Sequence, residues 1–399
     1  MEDHAPHPPL RAAFPAGGKA KRNDYMDVLV NNNIRPAGEA HLPPAKSEVI
    51  RAALLFALSG ESPERAVTGF LPPFCDDVYH ALRAFDTPVP NVGESAALMR
   101  MLIPILLEKR GEARLFVSPR LMERGIYELE SCLGAVALRG ANTLYLRADM
   151  RRDEFTVDCS RSSQFFSGLV LALGGSGREC TVRARGMVSA PYAELTLRMA
   201  GEFSARIERA GEEYRIFPAE YRAPEALHVS FDRSAAAVFE LMNLLGGSVK
   251  LPEGGSEQAD SAFLRLAGRD EASVRDCPDL TPLLAVAACK KTGETLICGT
   301  ARLRSKESDR ERGTVDMIRT LGGEARVLED AILINGRGGL SGGEYDPGND
   351  HRMAFAAAAA AAICDKPVVI RRAECVNKSF PAFFTELKKL CGAGEITEF

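Results

Sequence analysis

No CxxC pair occurs in the 399 residues, although the chain carries ten cysteines. They are scattered, at Cys75, Cys132, Cys159, Cys180, Cys277 and Cys289 among other positions. Zinc centres draw their thiolates from closely spaced pairs, so no metal site is expected. A chain this long, 46% hydrophobic, needs no disulfide scaffold, and reduced cysteines in a cytoplasm fit it. The opening residues mix acids, His and Pro without an apolar core, so no signal peptide is read. The alanine run 354–362 is too short and too weakly apolar to span a bilayer, with Arg352 and Asp365 at its ends. A basic surplus is also lacking: the formal net charge is −4 and the pI about 6.0, which argues against nucleic acid as a partner. Nor is there a GxxxxGK[ST] loop, so a nucleotide-dependent transferase is disfavoured.

What is present is a recurring pattern. Six times a polar stretch runs straight into an apolar helix expected at 49–58, 96–107, 165–173, 235–245, 280–288 or 353–363. The polar stretches are Lys46-Ser47-Glu48, Gly93-Glu94-Ser95, Arg161-Ser162-Ser163-Gln164, Asp232-Arg233-Ser234, Asp276-Cys277-Pro278-Asp279 and Gly348-Asn349-Asp350-His351-Arg352. Such recurrence points to an internal repeat. Each helix start carries free N–H groups and a partial positive charge, so several of them facing one cleft would trap anions.

Strand-like runs at 113–117, 143–147, 155–158, 180–184, 214–217, 228–231, 295–298, 326–327, 331–334 and 367–370 lie between these helices. Second helices are expected at 77–84, 127–133, 192–200, 311–321 and 380–390. The order predicts a mixed α/β (α+β) layer architecture. Six repeats in two groups of three predict two similar domains. Crossovers near Pro43-Pro44 and before His228 divide them as 45–228 and as 25–44 plus 229–399, so the strand 27–30 joins the C-terminal half. Residues 1–24, rich in Pro, Gly and charge, are expected to be disordered and outside the fold.

Several clusters bear chemistry. Lys46 and Arg51 at one helix start can hold a carboxylate or phosphate, or simply be solvated. Capping explains one of Ser162 and Ser163; the other, with the Gln164 amide, is a neutral donor set suited to phosphate. Asp279 is either a cap or a base. Lys306-Glu307-Ser308-Asp309-Arg310 reads by itself as a charge-rich helix start, and Lys378 is ambiguous. Asp350-His351-Arg352 is more telling, because the charges stop at an almost pure alanine helix that must be buried. An Arg in the first turn of such a helix needs an anionic partner.

The motifs also come in a definite order. Lys-Ser-x3-Arg, Gly-Glu-Ser-x4-Arg, Pro-Arg-x2-Glu-Arg, Ser-Ser-Gln-Phe, Pro-Asp, Lys-Glu-Ser-Asp-Arg, Asn-Asp-His-Arg-Met-Ala and Cys-x2-Lys-Ser-Phe-Pro-x-Phe-Phe follow one another. This string resembles the 5-enolpyruvylshikimate-3-phosphate synthases, or 3-phosphoshikimate 1-carboxyvinyltransferases, from about Met26 to the C terminus.

The resemblance implies two domains of three βαβαββ units each, an inside-out α/β barrel type, with the active site in the interdomain cleft. It implies transfer of the enolpyruvyl group of phosphoenolpyruvate to the 5-hydroxyl of shikimate 3-phosphate through a tetrahedral intermediate, with release of phosphate. Ser47 and Arg51 would hold the shikimate carboxylate; Ser162, Ser163 and Ser189 its phosphate. Gln164 would line the ring, and Lys306 and Asp279 would meet the hydroxyls. Lys46, Arg124, Arg310, Arg352 and Lys378 would clamp phosphoenolpyruvate, with Gln164 and the backbone at Ala96 alongside. Asp279 would accept the proton of the attacking hydroxyl, Glu307 would protonate the methylene, and Lys46 would touch both substrates at the reacting centre. A general acid needs a raised pKa, whereas a ring of cations acts against that; both pulls stand at this level. No cofactor or metal is implied, and a cytoplasmic monomer is. The rival readings are the sister transferase acting on UDP-N-acetylglucosamine, which would carry Lys-Asn in place of Lys46-Ser47 and lack the Ser-Ser-Gln cradle, and a non-catalytic paralogue that binds shikimate 3-phosphate.

Three departures matter. Pro44-Ala45 stands where most members have Gly and Ser. Ala96 replaces a Gly at the close approach to phosphoenolpyruvate. At Arg302 some members carry an Asn that touches the phosphate, so no role is carried over to Arg302.

Overall fold

The computed structural model describes residues 26–255, 257–392 and 394–399. The disorder expected for 1–24 falls outside the described residues.

All six expected helices form. With two of their successors they are α1 (Lys46–Leu58), α2 (Ala96–Arg110), α3 (Gln164–Leu173), α4 (Ala190–Glu202), α5 (Arg233–Leu244), α6 (Thr281–Lys290), α7 (Arg310–Thr320) and α8 (His351–Ala360). Four of the six begin one to three residues before their apolar runs; at α5 and α8 the residue before the helix is an Asp that caps it, whereas α1 and α3 start without a side-chain cap. Asp232 Oδ1 accepts from Ala235 N at 2.9 Å and Asp350 Oδ1 from Arg352 N at 3.0 Å. Asp309 caps α7 in the same way, accepting from Arg312 N at 3.1 Å. Capping by the acid places the next basic residue inside the first turn, and so on the end of the helix. Arg233, Arg310 and Arg352 ride there, and Lys46 takes the same place on α1 without an acidic cap before it.

The repeat is visible in the sheets. Glu154–Asp158 runs parallel to Cys180–Arg185, which pairs antiparallel with Glu213–Phe217 and through it with Arg206–Ala210. Glu271–Ser273, Thr292–Cys298, Ala331–Arg337 and Glu324–Val327 repeat that order. In a third copy Gly343–Tyr345 and Val368–Ile370 are joined by the N-terminal strand Val28–Val30, which also pairs with Ile396–Glu398. The other three units are abbreviated. One keeps Glu112–Phe116, Thr143–Arg147 and Val136–Arg139, its first strand shrunk to a bridge between Asn91 and Phe116. One keeps only Ala37–Glu39 and Ser248–Lys250. The unit containing α1 has no strand among the described residues; Pro88 and Pro90 interrupt the short link before α2 and deny it ladder donors.

One expected strand is corrected. Residues 228–231 form no sheet strand; only Phe231 bridges to Pro44. Ala45 N donates to Ser230 O at 2.8 Å and Asp232 N to Pro43 O at 3.0 Å, so the two crossovers lie side by side. Prolines 43 and 44 have no N–H to extend that ladder. Among the unexpected strands, Ala37–Glu39 and Gly343–Tyr345 are three-residue pieces without an alternating pattern.

Buried apolar side chains gather in two clusters. One joins Val28, Val30 and Leu42 to residues from Ala235 to Ile396; the other runs from Val49 to Val229. The alanine helix α8 is buried along its whole length within the first.

Candidate active site

Between the two cores lies a cleft of about 1220 Å³, and the helix ends reach it. Eight cationic side chains line it, Lys46, Arg51, Arg100, Arg124, Arg161, Arg302, Lys306 and Arg352, against five acids. A chain of net charge −4 therefore concentrates positive charge in one concave place, which suits anionic ligands.

On one wall are the neutral donors. Ser162 Oγ accepts from Gln164 N at 3.2 Å, while Ser163, at the N-cap of α3, makes no side-chain cap. Gln164 Oε1 accepts from Arg100 Nη1 at 2.9 Å. That contact depends on Gly168, since a Cβ there would sit 2.4 Å from Arg100 O; only glycine lets α3 lie this close to α2. Ser189 stands at the N-terminal boundary of α4 without a capping side-chain bond, at φ 53 and ψ 44, a left-handed conformation uncommon for serine. Its Oγ accepts from Arg302 Nη1 at 2.9 Å, across the cleft. Ser47 and Arg51 line the wall as well, and Arg51 spends part of its guanidinium on protein, donating to Thr196 Oγ1 at 2.7 Å, Ser47 O at 2.7 Å and Tyr192 O at 3.0 Å.

The opposite wall carries two carboxylates inside a lattice of cations. Asp279 meets Arg310 at 2.8 Å, Arg352 at 3.2 Å and Lys306 at 3.9 Å. The anionic partner that Arg352 requires in its buried helix is thus Asp279. Glu307 meets Arg310 at 2.7 Å and, from the other lobe, Arg124 at 3.3 Å. Burial alone would raise both carboxyl pKa values, but the surrounding cations outweigh it: Arg352, Lys306 and Arg310 hold Asp279 well below the carboxylate range, and Arg124, Arg310 and Lys306 do the same to Glu307.

Arg310 is 1% exposed and lies behind the wall. It is paired there with the fully buried Asp350 at 3.0 Å, so it braces Asp279 and Glu307 from below. Lys378 is also off the wall, donating to Asn349 O at 2.9 Å and pairing with Glu94 of the facing lobe at 2.5 Å. Lys46 is on it, 3.1 Å from Asp77. Burial presses on the Lys46 charge, yet Asp77 prevails and its pKa stands above the ordinary lysine value. Ala96 opens α2 at 5% exposure and lines the wall.

Sequence reasoning gave no site role to Arg100, Arg161 and Arg302, which line the cleft. Arg100 had a signal: an Arg within an apolar helix invites the argument made for Arg352. Arg302 was named only as a departure from the family, and its partner Ser189, 113 residues away, gave no local sign of a role.

Lys306 yields a pH test. Burial pushes its pKa down to about 8, against the upward pull of Asp279 and Glu307. The charged form is therefore lost as pH rises through about 8 in the empty cleft. The kcat/KM for an anionic ligand that Lys306 holds is expected to fall above that pH, and Lys306→Arg to move the decline upward by more than a unit. An identical profile for that variant would exclude Lys306 as the titrating group.

Similarity to known proteins agrees with this geometry. Residues 80–270 and 253–387 match the family model for EPSP synthase (3-phosphoshikimate 1-carboxyvinyltransferase). A 3-phosphoshikimate 1-carboxyvinyltransferase of Thermococcus kodakarensis is 33% identical over 410 residues, covering 90% of this chain and 99% of that protein. One from Clostridium acetobutylicum is 31% identical over 331 residues, covering 76% of this chain and 77% of that one. Among solved structures, an EPSP synthase from Acinetobacter baumannii superposes with a TM-score of 0.73 at 22% identity, over 94% of this chain and all of that one. That likeness is one of fold, mixed α/β in two domains, as expected from the order of elements.

Proposed function

The chain belongs to the EPSP synthase family and carries out shikimate-pathway enolpyruvyl transfer, and from that premise we propose how its cleft does so. The observation that carries the residue assignments is the convergence of Lys46, Arg124, Arg352 and Lys306 on one cavity around Asp279 and Glu307.

Shikimate 3-phosphate lies against the neutral-donor wall, its phosphate on Ser162, Ser163 and Ser189, its carboxylate on Ser47 and Arg51, its ring along Gln164, and Lys46 close by. Asp279 and Lys306 meet its hydroxyls. Phosphoenolpyruvate takes Lys46, Arg124 and Arg352, the two arginine forks suiting a carboxylate and a phosphate. Gln164 and Ala96 complete its pocket. Arg310 acts through the two carboxylates it braces, and Lys378 joins once its pair with Glu94 opens. Asp279 removes the proton of the attacking 5-hydroxyl while Glu307 delivers one to the methylene carbon, giving the tetrahedral ketal; loss of phosphate together with one methyl proton, taken back by the ionised Glu307, restores the double bond and completes the exchange. The cationic lining compensates the charge that develops. No cofactor or metal is assigned a part. The two cores correspond in this reading to domains 45–228 and 25–44 plus 229–399, working as a monomer in the cytoplasm.

The test is phosphate release by purified protein given both substrates; no release, or release with UDP-N-acetylglucosamine in place of shikimate 3-phosphate, would overturn the reading. Ala96 supplies a sharper expectation. Its methyl group narrows the phosphoenolpyruvate pocket, a constraint that weighs more on glyphosate, the bulkier phosphonate competing there. Ala96→Gly is expected to tighten glyphosate inhibition about tenfold, with a smaller change in KM for phosphoenolpyruvate. An unchanged inhibition constant refutes the steric account.

A further inference from the structure

Glu48 plays no part in the chemistry above, although it sits between Ser47 and Arg51 on the first turn of α1. It is 1% exposed. Among the described residues it forms no close ion pair, which for a buried carboxylate is costly. The α1 helix end favours its charge. Its oxygens are instead spent on two hydrogen bonds: Oε2 accepts from Ser230 N at 2.8 Å, and Oε1 from Gln258 Nε2 at 3.1 Å.

Both partners belong to the junction of the lobes. Ser230 lies in the second crossover, which Ala45 and Asp232 tie to the first. Gln258 comes from the C-terminal lobe, and its amide is held in one orientation. Its Oε1 accepts from Arg233 N at 3.0 Å, and its Nε2 also donates to Phe231 O at 2.8 Å. A flipped amide would set donor against donor at Arg233 and oxygen against oxygen at Phe231. The side chain at position 48 must therefore accept at both ends, toward Ser230 N and toward Gln258 Nε2. A carboxylate accepts on both oxygens; an amide does not.

We propose that Glu48 is the pivot of the interdomain hinge, a positioning residue for the transfer reaction. It ties the turn that carries Lys46, Ser47 and Arg51 to the second crossover and, through Gln258, to the opposite lobe. Closure then brings Lys46 and Ser47 to Asp279 and Glu307 in one register. The proposal rests on the enolpyruvyl-transfer reading of the cleft.

The full-length Glu48→Gln variant tests it, since side-chain size is kept while one oxygen becomes a donor facing the Gln258 amide. Activity per folded molecule, the folded fraction being measured by thermal unfolding, is expected to lose about 10- to 100-fold in kcat/KM for shikimate 3-phosphate, with kcat and KM both altered. Because the two side chains act as one link, combining Glu48→Gln with Gln258→Ala is expected to cost no more than the worse of the two single variants, well short of the product of their losses. Wild-type kcat/KM in Glu48→Gln, or losses that multiply in the double variant, overturns the pivot and leaves Glu48 a packing residue. If Glu48→Gln does not fold, Gln258→Ala takes its place: a loss of about 10- to 100-fold in kcat/KM supports the pivot and wild-type kcat/KM overturns it. A wild-type chain that releases no phosphate sinks the functional reading itself, whereas an active wild type beside an unaffected Glu48→Gln sinks only the pivot.

Discussion

Glu307→Gln is expected to lower kcat about 10²- to 10⁴-fold, the range for loss of a general acid. The amide keeps the shape of the side chain and can still accept from Arg310, now 2.7 Å from the carboxylate, so the wall stays assembled. What it cannot do is give up a proton. The empty cleft holds Glu307 ionised, because Arg124, Arg310 and Lys306 together outweigh its burial. A carboxylate depressed in this way keeps its charge as pH falls well below neutrality, and so it is no acid until that field changes. The substrates change it: two highly anionic ligands settle on the same cations and cancel much of their pull. The proton is thus expected on Glu307 only in the loaded, closed cleft, where water is excluded. It follows that kcat in the wild type falls as pH rises through the pKa of Glu307 in the complex, while kcat/KM for phosphoenolpyruvate shows no such step. The Gln variant should lack the step in kcat. A variant turning over within threefold of the wild type would remove Glu307 from the role of acid.

Asp279→Ala is expected to suppress phosphate release to a similar extent. Asp279 is about a quarter exposed and sits at the meeting point of Arg310, Arg352 and Lys306. Its low pKa makes it a weak base when the cleft is empty; ligand anions that occupy Arg352 and Lys306 restore its basicity as they bind. The substitution also frees Arg352 from its protein partner. Phosphoenolpyruvate should accordingly bind the variant no more weakly than the wild type, even though turnover collapses. This separation of binding from chemistry distinguishes a lost base from a lost fold. Robust turnover by Asp279→Ala would overturn the base assignment, and loss of phosphoenolpyruvate binding would show that Asp279 mainly organises the wall.

How far the site could be read in advance depends on the range of the interaction. Asp350 beside Arg352, at the mouth of an alanine helix, is a local contradiction between charge and burial, and it marks a site by itself. The Ser162-Ser163-Gln164 cluster is equally local, since all its donors lie within one helical turn. The order of such motifs then carries family and activity. By contrast, Arg310 looks in the sequence like one more ligand cation. Only the fold shows that Asp350, 40 residues on, draws it behind the wall and that Asp279 and Glu307 lean on it. Lys378 is diverted in the same way by Glu94, and Arg302 meets Ser189 from the opposite lobe.

The secondary structure divides along the same line. Six helix starts were legible because capping and apolar periodicity act over a few residues. Residues 228–231 read as a strand, yet Ser230 bonds to Ala45 and Glu48 and the next residue but one, Asp232, to Pro43, partners more than 180 positions away that decide what an extended segment becomes. Composition and motif order therefore determined the α/β class, the anion-binding chemistry and the family. The folded chain alone decided which cations face the cleft, which carboxylates they depress and where the lobes are joined, because Coulombic forces and hydrogen bonds follow distance in space and ignore distance along the chain.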